Sequence, residues 1–292
     1  MSTQKAIVIT SPRQESLVTD RPIPTLRDDY ILVKNVAPED GALAEYIVAK
    51  GDIQMHIPDN LSFEEAATLG LGIMTVGQAL YQSLKLALPT EPIKTPEPIL
   101  IYGGSTATGT LAIQFAKLSG YTVITTCESA QLRSREESLG ADAIFHYKDA
   151  SAPTKIREST NDNLRLVLDT ISLEPSAKFC DGALSTSGGE YSALYPVAID
   201  RANVDSRVTL AYMAIGEEFL FGDKVFPAQP EDKEFAASFA TIAEGLLRDG
   251  KVKVHPPKVG KEGLKGVIEG LKLLKEDKVS GQKLVYRVEE TP

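Results

Sequence analysis

The sequence predicts an α/β fold whose middle part is a doubly wound parallel sheet. From residue 99 onward, strand-like runs alternate with helix-like stretches, which is the rhythm of successive βαβ units. The run LRLVLDTI is nearly all apolar, as in a strand that is buried on both faces. The predicted strands are 99–102, 121–126, 142–146, 164–169 and 189–194, and the predicted helices are 107–119, 131–139, 152–159 and 174–184.

The N-terminal part reads as short strands followed by a helix. Residues 5–10 and 30–36 are strand-like, with a proline-punctuated loop between them. Ser62 and Glu65 have the spacing of a capping box, which predicts one long helix over residues 63–84. This helix is rich in glycine and alanine, so another backbone or a ligand can approach it closely.

The pattern changes twice along the rest of the chain. A loop with four prolines, residues 89–98, separates the N-terminal part from the alternating region. Beyond about residue 215 the alternation stops, and amphipathic helices are predicted at 231–249 and 261–275. A closing strand is predicted in QKLVYRVE.

Composition limits the classes of function. The 292 residues suffice for two domains, and a net charge of −9 disfavours nucleic acid as a partner. Cys127 and Cys180 are too few for a disulfide framework and are expected as small core residues, and with three histidines they show no zinc-site spacing. No apolar run approaches the roughly 18 residues of a membrane helix, and the start lacks a signal-peptide core, so we expect a cytoplasmic protein.

The glycine-rich turn GGSTATG is the candidate for chemistry. In a βαβ unit such a turn brings backbone N–H groups and a helix N-terminus toward a phosphate. Gly104 and Gly109 have the spacing of a P-loop, but Thr110-Leu111 stands where that motif requires Lys and then Ser or Thr, which excludes it. Two readings remain, a pyrophosphate site for a dinucleotide or a tight turn without a ligand.

The end of the second strand bears on the choice of dinucleotide. An acidic residue about 20 positions past the turn favours the free ribose of NAD, whereas arginines favour the 2′-phosphate of NADP. Here Glu128 is followed closely by Arg133 and Arg135. These residues leave the choice between NADPH and NADH open.

Four stretches carry a resemblance to a known family. YGGSTATGTLAIQFAKLSGY, SLGADAIFHYKD, LVLDTIS and VSGQKLVYRVE closely resemble the medium-chain dehydrogenase/reductase superfamily, and within it the zinc-independent, fungal-type trans-acting enoyl reductases. The match extends upstream through DGALAEYIVAKGDIQMHIPDNLSFEEAATLGLGIMTVGQALYQ and covers nearly the whole chain. It implies a Rossmann domain at 89–215 within a split GroES-like catalytic domain formed by 1–88 and 216–292.

The resemblance also implies a function and a set of site residues. The family uses NADPH to reduce carbon–carbon double bonds conjugated to a carbonyl, and its trans-acting members serve a polyketide synthase in secondary metabolism. The residues implied for the cofactor are Ser105, Thr106, Ala107, Thr108, Tyr147, Leu194, Tyr195, Val279 and Ser280. The turn and the end of the second strand add Gly104, Gly109, Glu128, Ser129 and Arg133 as candidate cofactor residues. Those implied for the substrate are Gly70, Leu71, Gly72, Ile73, Met74, Thr75, Val76, Gly77, Thr209, Leu210, Ala211, Tyr212 and Met213.

The chain departs from the family pattern in two places. ESAQ, residues 128–131, replaces the Ser-Pro and polar pair on the 2′-phosphate side and puts a carboxylate there. Ala37 runs directly into Pro38, where relatives have several dozen residues that build much of the GroES-like barrel. Because that segment supplies a lysine near the nicotinamide, no catalytic residue is assigned; water and the Tyr195 hydroxyl are the candidate proton donors.

Three functions follow from these observations. The first is an NADPH-dependent reductase of an enoyl thioester or enone, bound as a small molecule or on a carrier. The second is a quinone or carbonyl reductase, which would differ in pocket shape. The third is a catalytically silent module that binds a dinucleotide or a partner, which the shortened catalytic domain motivates.

Overall fold

A computed structural model describes residues 2–11, 14–26, 30–34, 43–221 and 224–292. The predicted junction between Ala37 and Pro38 therefore lies outside the described residues. The strands are β1 (Thr3–Ser11), β2 (Gln14–Pro22), β3 (Tyr30–Lys34), β4 (Tyr46–Lys50), β5 (Pro98–Tyr102), β6 (Thr122–Cys127), β7 (Ala143–His146), β8 (Leu166–Asp169), β9 (Gly189–Ala193), β10 (Val204–Val208), β11 (Phe219–Phe221), β12 (Lys224–Phe226), β13 (Pro257–Gly260) and β14 (Lys283–Tyr286). The α-helices are α1 (Phe63–Ala66), α2 (Gly70–Gly77), α3 (Ala107–Leu118), α4 (Ala130–Ser138), α5 (Ala152–Ser159), α6 (Glu174–Ala183), α7 (Pro230–Arg248) and α8 (Gly263–Lys275).

The chain divides into two compact units. The first comprises Met1–Gln54, Ser62–Thr68 and Pro256–Pro292, so both ends of the chain contribute to it. The second comprises Met55–Leu61 and Leu69–His255. The predicted boundaries at residues 88 and 215 fall inside the second unit, because helix α2 and helix α7 belong to the core of that unit.

The second unit is the predicted doubly wound sheet. Six parallel strands lie in the order β10-β9-β8-β5-β6-β7. Ile99 and Ile101 of β5 join a core with α2, α3 and α7, whereas Leu100 and Tyr102 join a second core with α5 and α6. Both faces of the sheet are covered, which confirms the α/β prediction and explains why these strands read as apolar runs.

The predicted long helix over residues 63–84 is wrong. The capping box of Ser62 and Glu65 is present, but α1 ends at Ala66 and α2 begins only at Gly70, continuing as a π-helical turn over Gln78–Ser83. The hydroxyl of the buried Thr68 donates to the carbonyl of Glu65 at 2.7 Å. The Thr68 N–H also donates to the Glu65 carbonyl, at 3.0 Å, so the chain leaves the α-helical hydrogen-bond pattern at this residue.

The first unit is built from small strand pairs. In its described part, β1 pairs with β2 and β3 with β4, both antiparallel, while β13 and β14 pair in parallel. The loop predicted between the first two strands is in fact β2, whose Leu17 and Val18 pair with Ile7 and Ala6. The prolines of this segment indicated a loop, but Pro22 lies at the end of β2, where a proline is compatible with a strand.

Strands β10, β11, β12 and β13 were not predicted; β10 extends the parallel sheet, β11 and β12 form a hairpin, and β13 pairs in parallel with β14. In the part of the chain that the structure describes, no helix is long and apolar enough to cross a membrane.

Candidate dinucleotide-binding site

The glycine-rich turn joins β5 to α3 at the carboxyl edge of the sheet. Gly103 has a φ of +85°, a conformation that glycine adopts without a steric cost. Its N–H donates to the Thr126 hydroxyl at 2.9 Å, and the N–H of Gly104 donates to the Thr126 carbonyl at 3.2 Å. Strand β6 therefore holds the turn in place through one residue.

The other two glycines are required by close packing. A Cβ on Gly104 would overlap the Thr125 hydroxyl, and a Cβ on Gly109 would overlap the carbonyl oxygen of Gly103. This confirms that Gly109 lies where the first turn of α3 packs on the strand–turn backbone. Glycine at these two positions therefore lets β6, the turn and α3 approach one another this closely.

Thr106 is the N-cap of α3. Its hydroxyl accepts from the Gly109 N–H at 2.8 Å and lies 3.0 Å from the Thr170 hydroxyl. The Thr170 hydroxyl is in turn within bonding distance of the carbonyls of Tyr102 and Gly103, at 2.8 and 3.1 Å. The Thr106 hydroxyl is thus engaged inside the protein, and Thr170, which sequence reasoning missed, ties the end of β8 to the turn.

The donors left for an anion are backbone groups. No acceptor among the described residues takes a hydrogen bond from the N–H of Ser105, Ala107 or Thr108. Ala107 and Thr108 open a helix of 12 residues, so the positive end of its dipole coincides with these donors. Free N–H groups at a helix N-terminus, in a glycine-rich turn that follows a parallel strand, fit the pyrophosphate of a dinucleotide.

The carboxyl end of β6 carries the predicted ribose-side residues. Glu128 accepts a hydrogen bond from Lys148, which lowers the pKa of the Glu128 carboxyl. Ser129 caps α4 by accepting from the Leu132 N–H at 3.3 Å. Arg133 donates to the Ile144 carbonyl at 2.8 Å.

Sequence reasoning missed Lys148, which the fold brings to Glu128 from the next strand. The registers of β6 and β7 pair Cys127 with His146, so the residues after both strands share one edge. The ammonium of Lys148 also lies 5.5 Å from the centre of the Tyr147 ring, and that ring stacks on His146. The sequence held a signal for this pair, because the residues that follow two neighbouring parallel strands lie at the same edge of the sheet.

Glu136 of α4 is the most unusual group near the turn. It is 1% exposed, and neither carboxyl oxygen accepts a hydrogen bond of ordinary geometry from the described residues. A Cβ on Gly104 would lie 3.2 Å from the Glu136 Cδ, so the carboxyl sits directly behind the turn. Burial raises the pKa of Glu136 to about 7, and the nearby Cys127, Arg133 and Arg135 only partly offset this effect.

Leu194 and Tyr195, implied for the nicotinamide side, follow β9. The Leu194 N–H donates to the Ser172 hydroxyl at 2.7 Å, and that hydroxyl donates to the Asp169 carbonyl at 2.8 Å. The Asp169 carboxylate accepts from the Tyr191 hydroxyl at 2.8 Å and from the Ser172 N–H at 2.8 Å. A buried polar network thereby fixes the backbone of Leu194, while Tyr195 is 64% exposed.

The residues implied for the substrate are divided by burial. In α2, Gly72 and Gly77 pack closely on Leu111 and Phe239, and Ile73 and Val76 are fully buried, so they serve the core. The exposed positions of this set include Leu71 and Tyr212, at 68% and 54%. Thr75 donates to the Leu71 carbonyl, and Thr209 bonds the Ser192 hydroxyl at 3.1 Å. Leu210 precedes a short 3-10 turn over Ala211–Ile215 that holds Tyr212 and Met213.

Val279 and Ser280 belong to the first unit, between α8 and β14. Cys127 and Cys180 are buried thiols, as predicted. The described residues contain no group of three or more His, Cys, Asp and Glu side chains that converge as metal ligands.

Comparison with known proteins shows the family to which the chain belongs. Residues 107–190 match the family described as zinc-binding dehydrogenase. The chain is 47% identical over 296 residues to the trans-enoyl reductase TOXD of Cochliobolus carbonum, covering 82% of this chain and 99% of that protein. It is 38% identical over 357 residues to the trans-enoyl reductase resD of Aspergillus sclerotiorum, covering 97% and 100%.

Solved structures share the fold at low identity. A putative zinc-dependent alcohol dehydrogenase from Rhizobium etli superposes with a TM-score of 0.73 at 17% identity, covering 98% of each chain. A mycobacterial protein solved with NADPH superposes with a TM-score of 0.71 at 18% identity, covering 97% of this chain and 99% of that one. Fold and matched relatives define an oxidoreductase of the medium-chain dehydrogenase/reductase class. Within that class, the chain belongs to the trans-enoyl reductase family.

Proposed function

We propose that this protein uses NADPH to reduce a carbon–carbon double bond conjugated to the carbonyl of a carrier-bound thioester. The observation that carries the proposal is the turn between β5 and α3, where the N–H groups of Ser105, Ala107 and Thr108 have no acceptor in the described chain. The relatives' name, trans-enoyl reductase, supports the substrate class. A polyketide synthase is the proposed source of the carrier.

The chain's own residues divide the work of binding. Backbone donors of the turn hold the pyrophosphate, and Glu128, Ser129, Arg133 and Tyr147 form the adenosine side. When bound, a reduced nicotinamide supplies the hydride. The network around Asp169 and Ser172 keeps the Leu194 backbone in place, and Leu194 and Tyr195 form the proposed nicotinamide side of this unit.

A binding titration followed by a turnover assay tests this proposal. Purified protein is titrated with NADPH and with NADH by cofactor fluorescence, and NADPH oxidation is then followed after addition of a short enoyl pantetheine thioester. We expect saturable NADPH binding and thioester-dependent oxidation. Failure to bind either dinucleotide would refute the proposed cofactor site.

The alternative of a silent binding module has its own support. The match to resD runs over 357 residues, more than the 292 of this chain, so that relative contains residues without a counterpart here. Tight NADPH binding without turnover of any enoyl thioester would favour the silent module over the reductase.

A further inference from the structure

We propose that Lys148 determines the preference for NADPH over NADH, by neutralising Glu128 and by binding the 2′-phosphate of the cofactor. The inference rests on the proposed function, because it concerns the adenosine side of the same dinucleotide site. It goes beyond that function by assigning cofactor choice to one ion pair between two strand ends.

The position of the pair comes from the sheet. Glu128 directly follows β6, and Lys148 follows β7 after one intervening residue. These strands are parallel neighbours, so both side chains lie at the carboxyl edge. In dinucleotide-binding folds the end of the second strand meets the adenosine ribose, where an acidic residue selects the free 2′-OH. A carboxylate here, taken alone, favours NADH.

The positive charge of Lys148 removes this preference for NADH and favours NADPH instead. Its ammonium bonds the Glu128 carboxylate, so the pair has no net charge at the place where a 2′-phosphate would sit. An ammonium has three donors, and one bond to Glu128 leaves donors for phosphate oxygens. The side chains are 61% and 51% exposed, so an incoming phosphate can reach both partners.

Each of the two arginines that follow Glu128 has one terminal nitrogen bonded at a place other than the Glu128 carboxylate. One terminal nitrogen of Arg133 donates to the Ile144 carbonyl at 2.8 Å, and one of Arg135 lies 3.1 Å from His255 Nδ1. Arg135 is also partly buried, which lowers the pKa of its guanidinium. Lys148, bonded to Glu128 itself, is the cation that balances this carboxylate in the described structure.

The test compares ligands that differ only at the 2′ position. Affinities for NADPH and NADH, and for the fragments 2′,5′-ADP and 5′-AMP, are measured by calorimetry for wild type and Lys148→Met. Loss of a hydrogen bond to a charged group weakens binding about ten- to a hundredfold. We expect that loss for NADPH and 2′,5′-ADP, with NADH and 5′-AMP nearly unchanged.

Two further variants sharpen the result. Glu128→Gln should strengthen NADPH and weaken NADH, since the ammonium then serves the phosphate alone. Lys155→Met is the control, because Lys155 is a similarly exposed lysine that bonds Asp149 at 2.9 Å. The inference is overturned if Lys148→Met leaves the NADPH-to-NADH ratio unchanged in protein that binds NADPH. Wild-type protein that binds none of the four ligands overturns the proposed function together with it.

Discussion

Replacing Glu136 with glutamine is expected to stabilise the protein above neutral pH. The buried carboxyl has a pKa of about 7 in the folded chain, against an ordinary value of 4.5. Because the folded pKa is raised, the stability that the protonated group contributes is fully present below pH 4.5 and is lost as the pH rises through 7. Glutamine fills nearly the same volume and does not ionise, so the variant escapes this loss.

The size of the effect follows from the difference in pKa. The shift from 4.5 to about 7 amounts to about 3 kcal/mol once the group is ionised in both states, and about 2.5 kcal/mol of it develops between pH 5 and pH 8. Urea unfolding of wild type and Glu136→Gln at these two pH values, followed by far-UV circular dichroism, measures the change. Glu137→Gln, at an exposed site of the same helix, is the matched control.

The outcome that would refute this reasoning is a constant stability difference between Glu136→Gln and wild type at both pH values. It would mean that Glu136 stays ionised in the folded protein, with partners that offset its burial. The control should show a small difference that does not depend on pH over this range.

Three further predictions follow from packing and burial. Gly109→Ala should abolish dinucleotide binding, since its Cβ overlaps a carbonyl oxygen of the turn, whereas Gly245→Ala on an open helix face should fold and bind normally, as checked by NADPH fluorescence. Tyr191→Phe should cost about 1–3 kcal/mol of unfolding free energy in urea, because it removes a donor from a buried carboxylate; wild-type stability would contradict this. Cys127 and Cys180 should react with a disulfide reagent at pH 8 only after unfolding, since burial raises both thiol pKa values, that of Cys127 to about 11; rapid reaction of folded protein would be the contrary result.

The alternating part of the chain was predictable because its pattern and its packing agree. Apolar runs of strand length, each followed by an amphipathic stretch, favour a parallel sheet that is covered by helices on both faces. The turn was predictable for the same reason, since a Cβ on Gly104 would overlap the Thr125 hydroxyl and a Cβ on Gly109 would overlap the Gly103 carbonyl oxygen. In both places the local residue pattern and the packing of the folded chain favour the same structure.

The sequence misled where tertiary contacts override the local pattern. Glu136 lies in a polar stretch that reads as a solvated helix face, and only the fold shows that it is buried behind the turn. Lys148 is 20 residues from Glu128 in the chain, and the sheet makes them partners. At the helix break, the N–H and the hydroxyl of Thr68 both donate to the Glu65 carbonyl, which helix propensity alone does not reveal.

Transfer of a deuterium label tests the central claim most directly. The protein is incubated with a short enoyl pantetheine thioester and NADPH deuterated at C4 of the nicotinamide, using each stereoisomer in turn, and the product is examined by mass spectrometry and NMR. We expect a saturated thioester that carries one deuterium at its β-carbon from one of the two stereoisomers. Protein that binds NADPH but yields no labelled product with either stereoisomer would contradict it.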